Sequence, residues 1–397
     1  MNNEDILRLT DEYVAPTYSR FGIPMVRGKG CRLWDAEGNE YLDFVSGLGV
    51  INIGHSHPHL VKAIQRQAEE LIHISNLFHI PQQAQLAKQI VSHTFHGKGF
   101  FANSGAEANE AAIKLARKYG QISKPGRIEI ITAYNSFHGR TLATLSATAQ
   151  EKYQKGFHPL LPGFAYIPFN DLEAMAAAIT DNTCAVMVEP IQGEGGVNVP
   201  SPEYLPGLRD ICDRKGVLLI LDEVQTGIGR TGRLFNYQYY DMKPDIITMA
   251  KSLGGGFPIG AMLAQKEIVE AFCPGSHAST FGGNYLASAA GLAVLEIIDK
   301  EGILENCQHM SRILFKELMA FANDCSMIKE VRGQGLMVGI ELDREGKEIV
   351  RRCLEKGLII NCTMDRVLRL LPPLIIKEGD LDRALEILFE TIRGFPG

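Results

Sequence analysis

Polar residues that could do chemistry come directly after apolar runs in the middle of this 397-residue sequence. The three runs and the polar residues that follow them are 185–188 with Glu189, 217–221 with Asp222, and 246–249 with Lys251. Short, nearly continuous apolar runs are typical of parallel strands that are buried on both faces. Because parallel α/β sheets bind ligands at the carboxyl ends of their strands, we expect these polar residues to share one edge of one sheet.

Lys251 is the residue that most restricts the reactions this site could catalyse. Three glycines follow it closely, at Gly254, Gly255 and Gly256, which predicts a tight loop where burial lowers the pKa of the amine. A neutral amine can form a Schiff base with a carbonyl compound. For an isolated lysine, a solvent-exposed position at a strand end is the simpler explanation. Asp222, at another strand end 29 residues earlier, favours the chemical role.

Asp222 supplies the second half of a chemical pair. A carboxylate beside a pyridine nitrogen keeps that nitrogen protonated, and the protonated ring is the electron sink that makes pyridoxal phosphate useful. Taken alone, Asp222 could equally be a helix N-cap. Taken with Lys251, it predicts an enzyme that uses pyridoxal phosphate.

A phosphate site is predicted at residues 103–107, where small residues begin a helical stretch. Such a helix start presents backbone N–H groups and the positive end of the helix dipole. An ordinary capping box, with Ser104 as N-cap and Glu107 three residues later, explains the same residues, and both can hold together. A second hydroxyl-bearing loop, around Ser279 and Thr280, could supply another phosphate ligand.

Composition and charge exclude several classes of protein. Hydrophobic residues make up 45% and charged residues 22% of the sequence, which are globular values. The net charge of −6 and the absence of a long basic run argue against a nucleic-acid partner. No apolar stretch reaches the roughly 18 residues of a membrane-spanning helix, and the polar, acidic start is unlike a secretory signal. We therefore expect a cytoplasmic enzyme with no membrane partner.

Alternation of strands and helices sets the fold class. Helical stretches at 106–119 and 202–215 separate the apolar runs, which predicts an α/β domain with a mostly parallel sheet. After residue 283 long helices come first and strands follow, which predicts a second, smaller α+β domain. The expected division is an N-terminal segment joining the small domain (1–54), a large cofactor-binding domain (55–283) and a C-terminal small domain (284–397).

The sequence resembles the class III (ω-) aminotransferases of fold type I from Arg27 to Pro373, nearly its whole length. The motifs that carry the resemblance are residues 103–117, 137–141, 189–196, 221–232 and 244–262. The resemblance implies a seven-stranded type of large-domain sheet, pyridoxal 5'-phosphate as cofactor and a homodimer with shared active sites. Within the class, the sequence most resembles the acetylornithine aminotransferases. That implies an N-acetylornithine-like amine as donor and 2-oxoglutarate as acceptor, in arginine biosynthesis.

The same resemblance implies roles for the cofactor site. Lys251 is implied to bind the cofactor covalently and then to carry the proton, and Asp222 to pair with the ring nitrogen. The other implied cofactor contacts are Ser104, Gly105 and Ala106 at the phosphate, Phe137 and Val224 on the ring faces, His138 and Glu189 beside the ring, Gln225 at the 3-hydroxyl, and Thr280 at the phosphate of the neighbouring subunit.

Substrate roles are implied for a further five residues. Carboxylates favour bidentate arginine, and the resemblance gives a substrate carboxylate to Arg140 and the α-carboxylate of glutamate and 2-oxoglutarate to Arg369. Glu194 is implied to pair with Arg369 while the amine donor is bound. Ser279 is implied to contact the donor across the dimer, and Tyr18 to contact the substrate. Without the resemblance, Arg369 could be a structural ion pair and Arg140 a solvated charge.

The sequence leaves alternatives open for the amine donor and for the type of reaction. Leu48 lies where an ungapped alignment gives ornithine aminotransferase a tyrosine, and an apolar residue there favours an acylated donor over free ornithine with its charged α-amine. Succinylornithine, succinyl-diaminopimelate, ornithine and 4-aminobutyrate stay open as donors. An aminomutase, decarboxylase or racemase on the same fold stays open too, as does a non-catalytic phosphate-binding module.

A metal site is not predicted. His55, His57 and His59 have a spacing that suggests one, but Gly54 and Pro58 indicate a turn there. No cysteine or carboxylate cluster completes a ligand set.

Overall fold

The computed structural model describes residues 1–395. The helices are α1 Asn3–Tyr13, α2 Ser46–Gly49, α3 Pro58–Glu70, α4 Pro81–Ser92, α5 Gly105–Ser123, α6 Leu142–Ala147, α7 Glu151–Gln154, α8 Leu172–Ala178, α9 Tyr204–Lys215, α10 Lys266–Val269, α11 Tyr285–Lys300, α12 Ile303–Asn323, α13 Lys347–Glu355 and α14 Glu378–Arg393. Short 3₁₀ turns cover Asn236–Tyr239 and Lys251–Gly254. The strands are β1 Met25–Lys29, β2 Arg32–Asp35, β3 Glu40–Asp43, β4 Gly97–Ala102, β5 Glu129–Ala133, β6 Phe164–Ile167, β7 Thr183–Val188, β8 Leu218–Asp222, β9 Ile246–Met249, β10 Gly260–Gln265, β11 Ile328–Gln334, β12 Met337–Leu342, β13 Leu358–Ile359, β14 Asn361–Thr363 and β15 Val367–Leu370.

A seven-stranded sheet in the order β4-β10-β9-β8-β7-β5-β6 forms the centre of the molecule. Its neighbours from β9 to β6 run parallel, and only β10 is antiparallel to the strands beside it. Every residue of β7, β8 and β9 is buried, which is why these segments are mostly apolar rather than alternating. The predicted α/β fold with a mostly parallel seven-stranded sheet is confirmed.

Helices cover both faces of this sheet. Helix α5 packs against β10, β9 and β7, and its buried face is built largely of small residues that let the helix lie close to the strands: Ala108, Ala111, Ala112 and Ala116. Alternate strand residues belong to two different clusters, with Met187 on the α5 side and Val186 and Val188 in the larger core that α9 and α11 complete. Within residues 1–395, each helix is either too short or too polar to cross a bilayer.

Two smaller four-stranded sheets flank the central one. One has the order β1-β2-β3-β13, in which β13 near the C-terminus pairs in parallel with N-terminal β3. The other has the order β11-β12-β15-β14 and is antiparallel. The division into 1–54, 55–283 and 284–397 stays a prediction.

Glu223 gives the fold a testable pH dependence. It is fully buried beside Asp222 and accepts hydrogen bonds from the Thr226 hydroxyl and from the N–H of Tyr237 at 2.9 Å. Burial raises its pKa to about 7. The folded state therefore holds the proton of the Glu223 carboxyl more tightly than the unfolded state does. The contribution of Glu223 to the free energy of unfolding is present below about pH 4.5 and is lost as pH rises through 7.

We expect Glu223→Gln to remove this dependence. The free energy of unfolding of the variant minus that of wild type should rise by up to about 3 kcal/mol as the pH is raised from 4.5 to 8. Urea unfolding at both pH values measures this difference, and Glu173→Gln on the exposed side of α8 is the control. A difference between variant and wild type that does not change with pH would contradict the buried-acid assignment.

Candidate active site

A cavity of about 240 Å³ lies at the carboxyl ends of β7, β8 and β9. The parallel arrangement of these strands places Glu189, Asp222 and Lys251 on one edge of the sheet, and all three line the cavity. The other lining residues are Gly105, Ala106, Asn109, Phe137, His138, Gly139, Arg140, Glu194, Val224 and Gln225. The structure thus brings most of the sequence-predicted site residues together.

Lys251 begins the 3₁₀ turn that follows β9. Its backbone has a φ of +43°, a left-handed conformation that a residue with a side chain seldom adopts and that is common at functional sites. The surrounding protein lowers the pKa of its amine by burial, and the charge of Arg369 lowers it further, against the opposing carboxylates of Glu194, Asp222 and Glu189. These surroundings shift the amine toward its neutral, nucleophilic form.

Three donors fix the carboxylate of Asp222 at the end of β8. Its Oδ2 accepts from Asn109 Nδ2 at 2.7 Å and lies 2.8 Å from Nδ1 of His138, while Oδ1 accepts from the Val224 N–H at 3.0 Å. Both Asp222 and His138 are almost completely buried. An acceptor held this firmly in a cavity wall is suited to face a protonated ring nitrogen.

Asn109 is a functional residue that sequence reasoning missed. It lies on the buried face of α5, where its amide also donates to the carbonyl of His138 at 2.7 Å and its Oδ1 accepts from Thr248 Oγ1 at 2.6 Å. It therefore ties Asp222 to a neighbouring strand and to the loop that carries Phe137. An asparagine among alanines on the buried face, one turn after Gly105, is the sequence signal that could have found it.

The start of α5 can hold a phosphate. Ser104 caps the helix, with its Oγ accepting from the N–H of Glu107 at 3.2 Å, and the Glu107 carboxylate accepts from the N–H of Asn103 at 2.6 Å. The first N–H groups of any α-helix, here those of Gly105 and Ala106, lack intrahelical partners, and both residues line the cavity. A cap and an anion site are thus present together.

Gly105 is needed for close packing at this position. A Cβ there would lie 2.8 Å from Cγ1 of Val224, which is closer than carbon atoms approach without a shift. Glycine lets the start of α5 approach Val224 closely. The N–H groups that could bind a phosphate therefore lie next to the side chain that could pack on one face of a flat ring.

Glu189 holds the opposite wall in place. Its Oε1 accepts from the N–H of Phe137 at 2.9 Å and its Oε2 accepts from the N–H of Gly193 at 3.1 Å. Burial raises its pKa to about 7. The carboxyl therefore joins the Phe137 loop to the loop that carries Glu194.

Arg369 and Glu194 form an ion pair at the cavity. Arg369 is fully buried on β15, and its Nη1 donates to Glu194 Oε1 at 2.7 Å and to Gln225 Oε1 at 3.5 Å. Burial alone would raise the pKa of Glu194, but the charges of Arg369 and Lys251 lower it further than burial raises it. Among residues 1–395, Nη2 of Arg369 has no hydrogen-bond partner, so the guanidinium keeps a free donor.

Arg140 lines the cavity from an exposed position. Its guanidinium lies 3.9 Å from the ring centre of Tyr153 and 5.5 Å from that of Phe137. No carboxylate in the part of the chain that the structure describes forms an ion pair with it.

Five predicted residues do not line this cavity. Ser104 directly precedes the lining residue Gly105, and Arg369 is paired with the lining residue Glu194, whereas the other three lie elsewhere. Ser279 and Thr280 line a separate cavity of about 670 Å³, where Ser279 Oγ accepts from Asn103 Nδ2 at 3.2 Å and Thr280 is exposed. Tyr18 is 74% exposed and stacks with Arg20. The roles of Ser279 and Thr280 require a second subunit, and all three roles stay predictions.

The histidine cluster is divided among three carboxylates. His55 lies 2.7 Å from Asp43, while the other two pairs are His57 with Glu301 at 3.3 Å and His59 with Glu296 at 2.8 Å. Within residues 1–395, no three His, Cys, Asp or Glu side chains are placed to hold a metal ion together.

The cavity fits pyridoxal phosphate. Lys251 supplies an amine of lowered pKa, Asp222 a fixed carboxylate, and the start of α5 a pair of free N–H groups, and all of them face one cavity in a fold type I sheet. The buried Nε2 of His138, which has no partner in the described chain, marks a further polar atom available near a ring. Fold and site together define an enzyme that depends on pyridoxal phosphate.

Comparisons with known proteins give the family. The family model described as aminotransferase class-III matches residues 13–392. An acetylornithine aminotransferase from Caldanaerobacter subterraneus subsp. tengcongensis is 55% identical over 383 residues, which is 96% of this chain and 97% of that protein. One from Methanocaldococcus jannaschii is 50% identical over 394 residues, 98% of each chain. The protein belongs to the class III aminotransferase family and is an aminotransferase.

A solved structure supports the fold and the cofactor. The ornithine aminotransferase from Toxoplasma gondii, crystallised with oxidised glutathione and with partial occupancy of PLP at its active site, is 34% identical. It superposes with a TM-score of 0.96 over 99% of this chain and 94% of its own. Pyridoxal phosphate is the cofactor of this family.

Proposed function

We propose that the protein transfers the terminal amine of N-acetylornithine to 2-oxoglutarate, giving N-acetylglutamate semialdehyde and glutamate, as in arginine biosynthesis. The observation that carries the proposal is the closed Arg369–Glu194 pair beside Lys251, since an ω-amine donor needs Arg369 hidden while 2-oxoglutarate needs it exposed. The names of the full-length relatives support N-acetylornithine as the donor.

Pyridoxal phosphate, when bound, supplies the electron sink that stabilises negative charge on the donor carbon. The N–H groups of Gly105 and Ala106 would hold its phosphate, and Phe137 and Val224 would confine its ring. Asp222, oriented by Asn109 and His138, would keep positive charge at the ring nitrogen. Lys251, whose Nζ has a lowered pKa, would hold the cofactor covalently and would then be the group that takes and returns the proton of the donor carbon.

The two half-reactions use the two arginines differently. The donor reacts through its terminal amine, so its carboxylate lies at the far end, where Arg140 is available. Glu194 meanwhile occupies Arg369. In the second half-reaction, 2-oxoglutarate presents its α-carboxylate at the reacting end, displaces Glu194 and uses both Nη atoms of Arg369.

A homodimer with shared active sites and a cytoplasmic location belong to the same proposal. Large apolar side chains lie exposed near the Ser279–Thr280 loop: Leu77 is 89% exposed, Phe78 61% and Phe281 57%. Such a patch suits a second copy of the chain, whose phosphate site Thr280 would then reach. All eight cysteines are free thiols, which is typical of a reducing compartment.

Steady-state kinetics with five amines test the donor. Leu48 lies close to the site, with its backbone carbonyl 3.5 Å from Nε2 of Gln225, and its apolar side chain offers no polar partner for a charged α-amine. We expect kcat/KM for N-acetylornithine to exceed that for free ornithine at least about tenfold. Higher kcat/KM for ornithine would overturn the donor, and sustained turnover without 2-oxoglutarate, beyond one product per active site, would favour a decarboxylase, mutase or racemase.

Asp222→Asn should lower kcat by about 10³-fold, because an amide cannot hold positive charge at a ring nitrogen. The loss should appear in both half-reactions, while the phosphate site keeps cofactor bound. Cofactor content and single-turnover rates measure this, with the exposed Asp241→Asn as control. A variant that retains more than a tenth of wild-type kcat would contradict the role of Asp222.

A further inference from the structure

Arg140 is held by aromatic rings and not by an acid. Its guanidinium carbon lies 3.9 Å from the ring centre of Tyr153, a half-buried residue of α7. In the described chain, Arg140 forms no ion pair, although it faces a cavity that contains several carboxylates. An arginine stacked on a ring face keeps its planar edge free, and that edge is the part that binds a carboxylate bidentately.

A second cation lies against the Tyr153 ring. Nζ of Lys152 lies 4.8 Å from the centre of the same Tyr153 ring, and its only hydrogen bond in residues 1–395 is to the sulfur of Met364. Two cations on one aromatic ring, with no carboxylate paired to either, make this edge of the site favourable to an anionic group.

Tyr153 also touches the wall of the cofactor site. Its ring meets Phe137 edge-on, with ring centres 5.7 Å apart. The hydroxyl of Tyr153 forms no hydrogen bond within the described residues, so Tyr153 contacts Arg140 and Phe137 through its ring alone. Tyr153 could therefore act in two ways: on the substrate through Arg140, or on the cofactor through Phe137.

We propose that Tyr153 is a positioning residue that sets specificity for donors with a carboxylate at the end remote from the reacting amine. It does so by stacking on Arg140 and fixing the plane of the guanidinium toward the cavity. This inference rests on the proposed function, in which Arg140 receives the carboxylate of the donor.

Kinetics with the holoenzyme and a matched donor pair test the inference. N-acetylornithine carries the remote carboxylate, and N-acetylputrescine is the same amine without it. We expect Tyr153→Leu to raise KM for N-acetylornithine about tenfold with little change in kcat, and to change kcat/KM for N-acetylputrescine less than twofold. Tyr153→Phe keeps the ring and should restore wild-type behaviour with both donors.

Each other outcome overturns the inference. Equal losses with both donors would mean that Tyr153 acts through Phe137 and the cofactor, and a loss in Tyr153→Phe would mean that the hydroxyl matters. Arg140→Ala separates the inference from the proposed function. If that variant loses N-acetylornithine activity while Tyr153→Leu does not, Tyr153 is dispensable, and if neither loses it, Arg140 does not bind the donor carboxylate.

Discussion

Lys251→Ala should abolish transamination, with kcat at least about 10⁴-fold below wild type. The variant loses both the covalent link to the cofactor and a cavity-lining amine whose pKa is lowered by burial. Neither Asp222, fixed by three donors, nor the ring of His138, held against Asp222, is free to move a proton at the donor carbon.

The fold should survive this substitution. The amine of Lys251 makes no hydrogen bond to the described residues, so the free energy of unfolding should change by less than about 1 kcal/mol. Cofactor should still bind, but dialysis should remove it because only non-covalent contacts remain. Lys266→Ala, an exposed lysine of α10, is the control and should retain full activity. Turnover within tenfold of wild type in Lys251→Ala would contradict the mechanism.

Arg369→Lys should disable one half-reaction selectively. Lysine keeps the charge near Glu194 but cannot offer two parallel N–H donors to a carboxylate. We expect kcat/KM for 2-oxoglutarate to fall about 10²- to 10³-fold, while the half-reaction with N-acetylornithine, in which Arg369 stays paired with Glu194, falls less than tenfold.

Stopped-flow spectroscopy of the separate half-reactions measures this split. Arg366→Lys, on the same hairpin but exposed, should leave both rates unchanged. Equal losses in the two half-reactions would mean that Arg369 is structural and that the Glu194 pair is not a switch between substrates.

The sheet edge could be predicted because its signals are local in sequence. Buried parallel strands are nearly continuous apolar runs, so the charged residue after each run indicates a carboxyl end. Strand β9 occupies the predicted residues, and β8 ends at Asp222 itself. Because β8 pairs in parallel with β9, Asp222 and Lys251 come to the same sheet edge, and both line the cavity.

Antiparallel β10 could not be predicted in the same way. It lies between β4 and β9, so strand order in the sheet departs from chain order, and pairing over more than 150 residues leaves no periodicity in the sequence. Its glycine start has a packing reason that appears only in three dimensions. A Cβ on Gly260 would lie 2.2 Å from the carbonyl oxygen of Ser104, at the start of α5.

The residues that orient the site, Asn109 and Tyr153, could not be predicted from the sequence for a related reason. Asn109 contacts Asp222 across 113 positions, and a single asparagine in a helix gives no indication of so distant a partner. Tyr153 follows a charged stretch that suggests a solvated turn, and only the folded chain places its ring against Arg140. Sequence patterns give the residues that do chemistry, whereas the residues that orient them depend on non-local contacts.

Borohydride reduction of the holoenzyme, followed by peptide mass spectrometry, tests the central claim most directly. Reduction makes the link between amine and cofactor permanent and marks the lysine that carries it. We predict that the cofactor is found on Lys251 alone. Cofactor on any other lysine, or protein that binds pyridoxal phosphate without a reducible link, would contradict the account.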